Sequence, residues 1–382
     1  WSEIGTKSRP VKGRMINQLR DRIEERLAFD GIDGEITPIS GRLVVTTDEA
    51  IRAAEALAEL PGVASTSPAL ATDPTIQAIE AAADRLSIGS TFGVDAHVGA
   101  DHPFNSPELN ERIGSRILER TGATVDLDEP DTWVELDVRR ETAFLFTRRV
   151  DGPDGFPVGV QRPVAALISG GIDSPVAAYE MLTRGVPIVP IYVYNRPFAS
   201  EDHLARFEAV LDKLVRFHPA GEWGYHLIDM NEPNEALLEV DRGRMLLHRR
   251  VMFRVARRIA EDEGLAGLVT GESIGQKSSQ TTANLELTAE GVSGPIYRPL
   301  LTVPKEAITD RARTLGTFEE ATIPSACRSL APESPATTME PAQLDSLAEQ
   351  VDLESLVKTA YRTAEYRPHS TRESFTATPE TR

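Results

Sequence analysis

The hexapeptide Ser169-Gly170-Gly171-Ile172-Asp173-Ser174 constrains this chain more than any other stretch. It follows the uninterrupted apolar run 164–168 and opens a helical pattern over 173–184. A strand without polar alternation is buried on both faces, and a helix directly after it carries the chain back over the sheet. The spacing therefore predicts a βα unit of a parallel sheet covered on both sides. A second apolar run at 186–194 repeats the pattern. The paired glycines carry the chemistry. Without Cβ atoms, successive backbone N–H groups can turn toward one anion, the serines add hydroxyl donors, and the first helical turn adds a positive field. Pyrophosphate fits that description. No GxxxxGK[ST] spacing occurs, so the loop is not of the Walker type.

A second strand end has the same character: Leu268-Val269-Thr270-Gly271-Glu272-Ser273-Ile274-Gly275-Gln276, continuing through Lys277, Ser278, Ser279, Gln280, Thr281 and Thr282 to Asn284. Gly271 would let a nucleotide approach the backbone, and Gln280 with Thr281 can hydrogen-bond a base or a phosphate. Both suit the crevice at the carboxyl edge of an open parallel sheet. Read alone, an ordinary polar βα loop accounts for the same residues.

The chain has 382 residues, enough for two or three globular units. Ahead of the phosphate loop, apolar spacing predicts helices at 11–30, 48–60, 75–86 and 107–121 and strands at 41–46, 91–98, 132–138 and 142–148. Residues 151–162, rich in Gly and Pro, read as a turning linker, and the polar stretch 359–382 reads as a loose tail. The chain opens on Trp1 in what reads as a strand-to-helix transition, so a strand ahead of Trp1 is expected.

Charge narrows the partners. The net charge is −18, and the lysines are confined to Lys7, Lys12, Lys213, Lys277, Lys305 and Lys358, a balance expected of a protein solvated in concentrated salt. An acidic protein is a poor default binder of nucleic acid, so any RNA contact must use local basic patches and shape. The single cysteine, Cys327, excludes an internal disulfide and any cysteine-based zinc or iron–sulfur site within one chain. The histidines show no metal-ligand spacing, and spacing alone points to no metal-ligating residues. No apolar run reaches about 18 residues, so no membrane span is expected and a cytoplasmic location is.

An SGGxDS loop after a strand resembles the PP-loop ATP pyrophosphatases, which split ATP into AMP and pyrophosphate to make an oxygen a leaving group. The loop with its continuation, SGGIDSPVA (169–177), and three further stretches make the resemblance more specific: TGESIGQKSSQT (270–281), RPLLTVPKEAI (298–308) and IPSAC (323–327), with Gly5-Thr6-Lys7-Ser8 at the front. Together they resemble the tRNA 4-thiouridine synthase (tRNA sulfurtransferase) family over about residues 1–355. That resemblance implies an α/β protein in three parts. A ferredoxin-like domain would span 1–52, its first strand preceding Trp1, and a THUMP tRNA-binding domain 53–150. After the linker 151–162, a doubly wound parallel-sheet PP-loop domain would span 163–355, with a polar tail at 356–382.

By the same resemblance, ATP is contacted by Leu167, Ile168, Ser169, Gly170, Gly171, Asp173, Ser174, Tyr192, Val193, Arg249, Gly271 and Gln280. Asp173 helps hold Mg2+ and the departing pyrophosphate, Lys305 stabilises charge at the α-phosphate, and Cys327 is the sulfur-bearing nucleophile. From the residues alone, Arg249 in His248-Arg249-Arg250 also reads as part of a solvated basic face. The chain lacks the second cysteine of relatives with a rhodanese-like domain, which implies an external sulfur donor, either sulfide or a persulfide carrier such as a cysteine desulfurase. It also makes thiazole synthesis for thiamine doubtful. The strand 91–97 lacks the basic residues often found in THUMP domains, so tRNA contacts would lean on Arg139, Arg140, Arg148 and Arg149. A homodimer sharing one tRNA is implied as well.

The implied reaction is adenylation of uridine O4, at tRNA position 8, followed by attack of sulfur at C4 and loss of AMP. Two alternatives stand beside it: another PP-loop enzyme adenylating a small carbonyl or carboxyl substrate, and a non-catalytic tRNA-binding module with a degenerate nucleotide site.

Overall fold

The computed structural model describes residues 3–39, 41–99, 102–219, 223–322, 330–332 and 335–369. The chain divides into two compact units, residues 1–155 and 156–382.

In the first unit the order is α1 (Arg9–Asp30), β1 (Glu35–Ile39), β2 (Arg42–Thr46), α2 (Ala50–Ala58), β3 (Ser65–Thr66), β4 (Leu70–Thr72), α3 (Ile76–Ala83), β5 (Thr91–Val98), α4 (Ser106–Thr121), β6 (Thr124–Val125), β7 (Thr132–Val138), β8 (Ala143–Phe146) and β9 (Val150–Asp151). Gly31 stops α1 in the left-handed conformation, φ 63°, which costs glycine no Cβ clash. Asn105 caps α4 by accepting from Glu108 N. Strands β4-β8-β7-β5-β6 form one sheet, and the buried side chains Ile79, Phe92, Ile113, Ile117 and Val134 join α3 and α4 to it. Among the described residues, strand β1 pairs only with β2, and β3 only with β9. Residues 42–47 and 63–69 are among those lining a cavity of about 580 Å³.

The second unit runs β10 (Val164–Leu167), α5 (Asp173–Thr183), β11 (Ile188–Tyr194), α6 (Glu201–Leu214), β12 (Trp223–Asp229), α7 (Asn231–Leu237), α8 (Arg244–Asp262), β13 (Leu268–Val269), α9 (Thr282–Ala289), β14 (Ile296–Tyr297), α10 (Lys305–Thr314), α11 (Pro341–Gln350), α12 (Leu353–Arg362) and β15 (Glu365–His369). The sheet order is β14-β13-β10-β11-β12-β15, with every pairing parallel except that of β15 with β12. Strand β10 is buried along its whole length, as the absence of polar alternation requires. Helix α8 packs on β10 and β13 through Leu247, Val251, Val255 and Ile259. Among the described residues no helix is long and apolar enough to cross a membrane.

Two stretches depart from the sequence expectation. The stretch 151–162 is packed rather than free. Phe156 and Val158 are buried, Phe156 N donates to Thr183 O (2.9 Å), and Gly159 N donates to Gly185 O (3.0 Å). Two apolar side chains among the glycines are enough to anchor it. The polar tail is also ordered as far as His369. Leu353, Val357 and Ala360 bury one face of α12 against α8 and the core, Asp352 caps the helix, and β15 pairs with β12 over five residues. An apolar stripe of one residue per turn is easily missed within a polar composition. Residues 370–382 lie outside the described part.

Candidate active site

The chain leaves β10 for β11 and β12 on one side, then returns to β13 and β14 on the other. The switch point therefore falls between β10 and β13, and the loops at their carboxyl ends diverge around a crevice. Those loops are the two sequence motifs.

In the first loop Ser169 N donates to Ser174 Oγ (2.8 Å), the two hydroxyl oxygens lie 3.0 Å apart, and Gly171 N donates to Ser169 Oγ (3.3 Å). Among the described residues no side chain caps α5, so the N–H groups at its start, Pro175 having none, keep donor capacity for a ligand. The side chains of Leu167 and Ile168 are buried in the sheet, and Ile168 N is taken by Ile191 O (3.0 Å). Tyr192 is buried and stacks on Phe207 with ring centroids 4.4 Å apart, while Val193 packs on the core.

A Cβ on Gly271 would lie 2.6 Å from Ser174 N and 2.7 Å from Asp173 C. The position needs glycine so that the β13 loop can press against the first turn of α5. The close neighbour is the protein's own phosphate loop, not only a nucleotide as expected. Thr281 has a structural task too: it caps α9 by accepting from Asn284 N, and its hydroxyl donates to Thr337 O (2.8 Å).

Asp173 begins α5 and Lys305 begins α10, and Lys305 Nζ donates to Asp173 Oδ1 at 2.5 Å. Residues separated by 132 positions are thus brought together at the helix end that receives the phosphate loop. Both side chains keep substantial solvent exposure, which leaves them accessible to a substrate. Cys327 lies outside the described residues.

Arg249 does not stand on a solvated face. Its Nη1 donates to Glu272 Oε1 (2.5 Å) and its Nε to Ser279 Oγ (3.1 Å). With the Gln280 amide oriented to satisfy both ends, Gln280 Nε2 donates to Ser273 O (2.9 Å) and its oxygen accepts from Arg249 Nη2 (2.9 Å). The Glu272 carboxylate is 2% exposed, and its other oxygen accepts from Arg298 Nε at 2.6 Å. Glu272, Ser279 and Arg298 stand inside the quoted motifs but were not singled out. The available signal was a lone carboxylate directly after a buried strand, which must find a cation.

Next to Arg249, His248 is fully enclosed and bonded through Nε2 to Asn195 Oδ1 (2.7 Å). Burial, reinforced by the Arg249 charge, pushes its pKa down to about 4, so it is neutral near pH 7. Of the four arginines expected to meet tRNA, Arg139 is paired with Asp137, Arg148 with Glu55 and Arg149 with Glu135. Arg140 alone is exposed without an ion pair among the described residues.

A doubly wound sheet with a glycine-serine phosphate loop at its switch point, flanked by an acid–lysine contact, defines a nucleotide-binding α/β enzyme of the PP-loop class. Residues 159–353 match the family model described as thiamine biosynthesis protein (ThiI), 76–148 the THUMP domain and 1–67 the ThiI ferredoxin-like domain. A probable tRNA sulfurtransferase of Halobacterium salinarum is 40% identical over 344 residues, 88% of each chain. A tRNA sulfurtransferase of Thermoplasma acidophilum is 32% identical over 93% of this chain and 74% of its own length. The solved structure of a 4-thiouridine synthetase in complex with RNA and bound ATP superposes with a TM-score of 0.86 at 29% identity, covering 97% of this chain and 98% of that one. The chain belongs to the ThiI family of tRNA sulfurtransferases.

Proposed function

We propose that this chain is an ATP-dependent tRNA sulfurtransferase that converts a tRNA uridine, the one at position 8, into 4-thiouridine. The observation that carries the reading is the Lys305–Asp173 contact at the mouth of the phosphate loop, in a chain whose relatives are tRNA sulfurtransferases.

The donor set fits a triphosphate. The free N–H groups of α5, the loop 169–174 and the serine hydroxyls would hold its phosphates, and the low side-chain bulk at Gly170 and Gly171 lets them approach. Mg2+ fits as an ion carried by the nucleotide: it needs one or two carboxylates plus phosphate oxygens, and Asp173 supplies one. When bound, it would neutralise charge on the leaving pyrophosphate.

Uridine O4 attacks the α-phosphorus, pyrophosphate leaves, and the O4–adenylate forms. Lys305 Nζ would balance the negative charge gathering on the α-phosphate oxygens, and Asp173 holds that ammonium in place beforehand. A sulfur nucleophile then attacks C4 and expels AMP. Cys327 would carry this sulfur as a persulfide: its terminal sulfur bonds C4 as AMP leaves, an external thiol then attacks the Cys327 sulfur and breaks the S–S bond to free the 4-thiouridine, and a second thiol reduces the mixed disulfide left on Cys327. The resemblance supports sulfide or a persulfide carrier as the sulfur donor and a homodimer sharing one tRNA.

Pyrophosphate release by the full chain, with ATP and Mg2+, tests the reading. Release that rises with added unmodified tRNA is expected; equal release without tRNA would favour a small-molecule substrate. A Cys327→Ser variant is expected to keep tRNA-stimulated release but lose sulfur transfer from a persulfide donor. Retained transfer removes that role from Cys327.

A further inference from the structure

We propose that Arg298 is a further phosphate-binding residue of this crevice and that Glu272 is the positioning residue that aims it. The proposal rests on the reading that the crevice binds ATP. Arg298 directly follows β14, at the same carboxyl edge of the sheet as the phosphate loop. Its Nε is fixed by Glu272 Oε2 at 2.6 Å, and its side chain is 17% exposed. Its Nη2 is buried and finds no acceptor among the described residues.

The contrast with Arg249 singles it out. All three nitrogens of Arg249 already have protein acceptors, in Ser279, Glu272 and Gln280. Both guanidinium groups share one carboxylate, so two positive charges face a single negative one and the cluster keeps a net positive charge. A buried donor without an acceptor is costly, and in a native site it marks where an acceptor enters.

A second orphan points the same way. Gln276 Nε2 is likewise buried without an acceptor among the described residues. The two donors belong to one wall, because the loop of Gln276 is tied to the segment after Arg298. Ile274 N donates to Leu301 O (3.0 Å), and Ser273 Oγ donates to Val303 O (3.5 Å). The Gly271 end of that loop lies against Asp173 and Ser174. Surplus positive charge, unmet donors and adjacency to the phosphate loop call for an oxyanion, and the oxyanion of this site is a nucleotide phosphate.

Binding of ATP and of adenosine to the full chain, measured by calorimetry, separates this role from a structural one. The decisive variant is Arg298→Lys, which keeps the ion pair with Glu272 but gives up the second donor of the fork. ATP affinity is expected to fall about tenfold or more, the worth of a hydrogen bond to a charged group, with adenosine affinity unchanged. Glu272→Gln keeps the shape and removes the charge, and should move the ATP-to-adenosine ratio in the same direction. If Glu272→Gln does not fold, Arg298→Lys alone decides. Equal weakening of both ligands, or no change in either, overturns the proposal. Absence of ATP binding by the unaltered chain would instead overturn the reading beneath it.

Discussion

Lys305 Nζ and Asp173 Oδ1 stand 2.5 Å apart at the first turns of two helices, and in the proposed reaction that cation would serve the departing pyrophosphate. The pair is exposed enough that its worth to stability is small. Lys305→Ala is therefore expected to lower the rate of pyrophosphate release by roughly 10²–10³-fold with little change in melting temperature. A variant that melts early but turns over normally would assign the pair to the fold instead. His248 makes the opposite case, with a consequence for stability. Its folded pKa, about 4, lies below its ordinary 6.5. The unfolded chain therefore binds the extra proton between those values. The contribution is complete above pH 6.5 and is lost as pH falls toward 4, by something of order 3 kcal/mol. Denaturation midpoints measured at pH 7 and pH 5 should diverge more for the native chain than for His248→Gln. Identical slopes would show that the imidazole is not held neutral.

At the scale of elements, the boundaries that could be read were those with strong periodicity. The strands 91–98 and 132–138 and the helix over 173–183 follow from unbroken or evenly spaced apolar residues, which leave a period little room for error. Helix α12 and strand β15 escaped because their apolar content is one side chain per turn and an edge strand's backbone, and neither stands out from a Thr- and Arg-rich context. The phosphate loop was legible because its six residues are contiguous. The Arg249–Glu272–Arg298 cluster was not, because it joins three segments that only the parallel sheet brings to one edge. Gly271 belongs between these cases: glycine was noticed, but the neighbour that demands it was visible only in three dimensions. Gly271→Ala would drive a methyl group into the backbone of Asp173 and Ser174, an overpacking that typically costs about 1–3 kcal/mol. The expected result is weaker ATP binding through a displaced α5 terminus. ATP affinity unchanged from that of the native chain would mean the loop yields without consequence.

For the whole molecule, a net charge of −18 sets the terms on which an anionic polymer can be handled. Three of the four candidate arginines of the first unit are already engaged by carboxylates, which lowers their value for phosphate contacts and leaves shape to contribute more. Salt in the assay has opposing effects. It screens the repulsion between an acidic protein and tRNA as well as within the protein, while weakening whatever arginine–phosphate contacts form. Activity should be sought at high ionic strength. The most direct measurement is mass spectrometry of nucleosides from unmodified tRNA incubated with the full chain, Mg2+, concentrated salt and sulfide or a persulfide donor, with and without ATP. 4-Thiouridine is expected only when ATP is present. Equal 4-thiouridine without ATP, or ATP cleavage to pyrophosphate with no thiolated nucleoside from either donor, would contradict it.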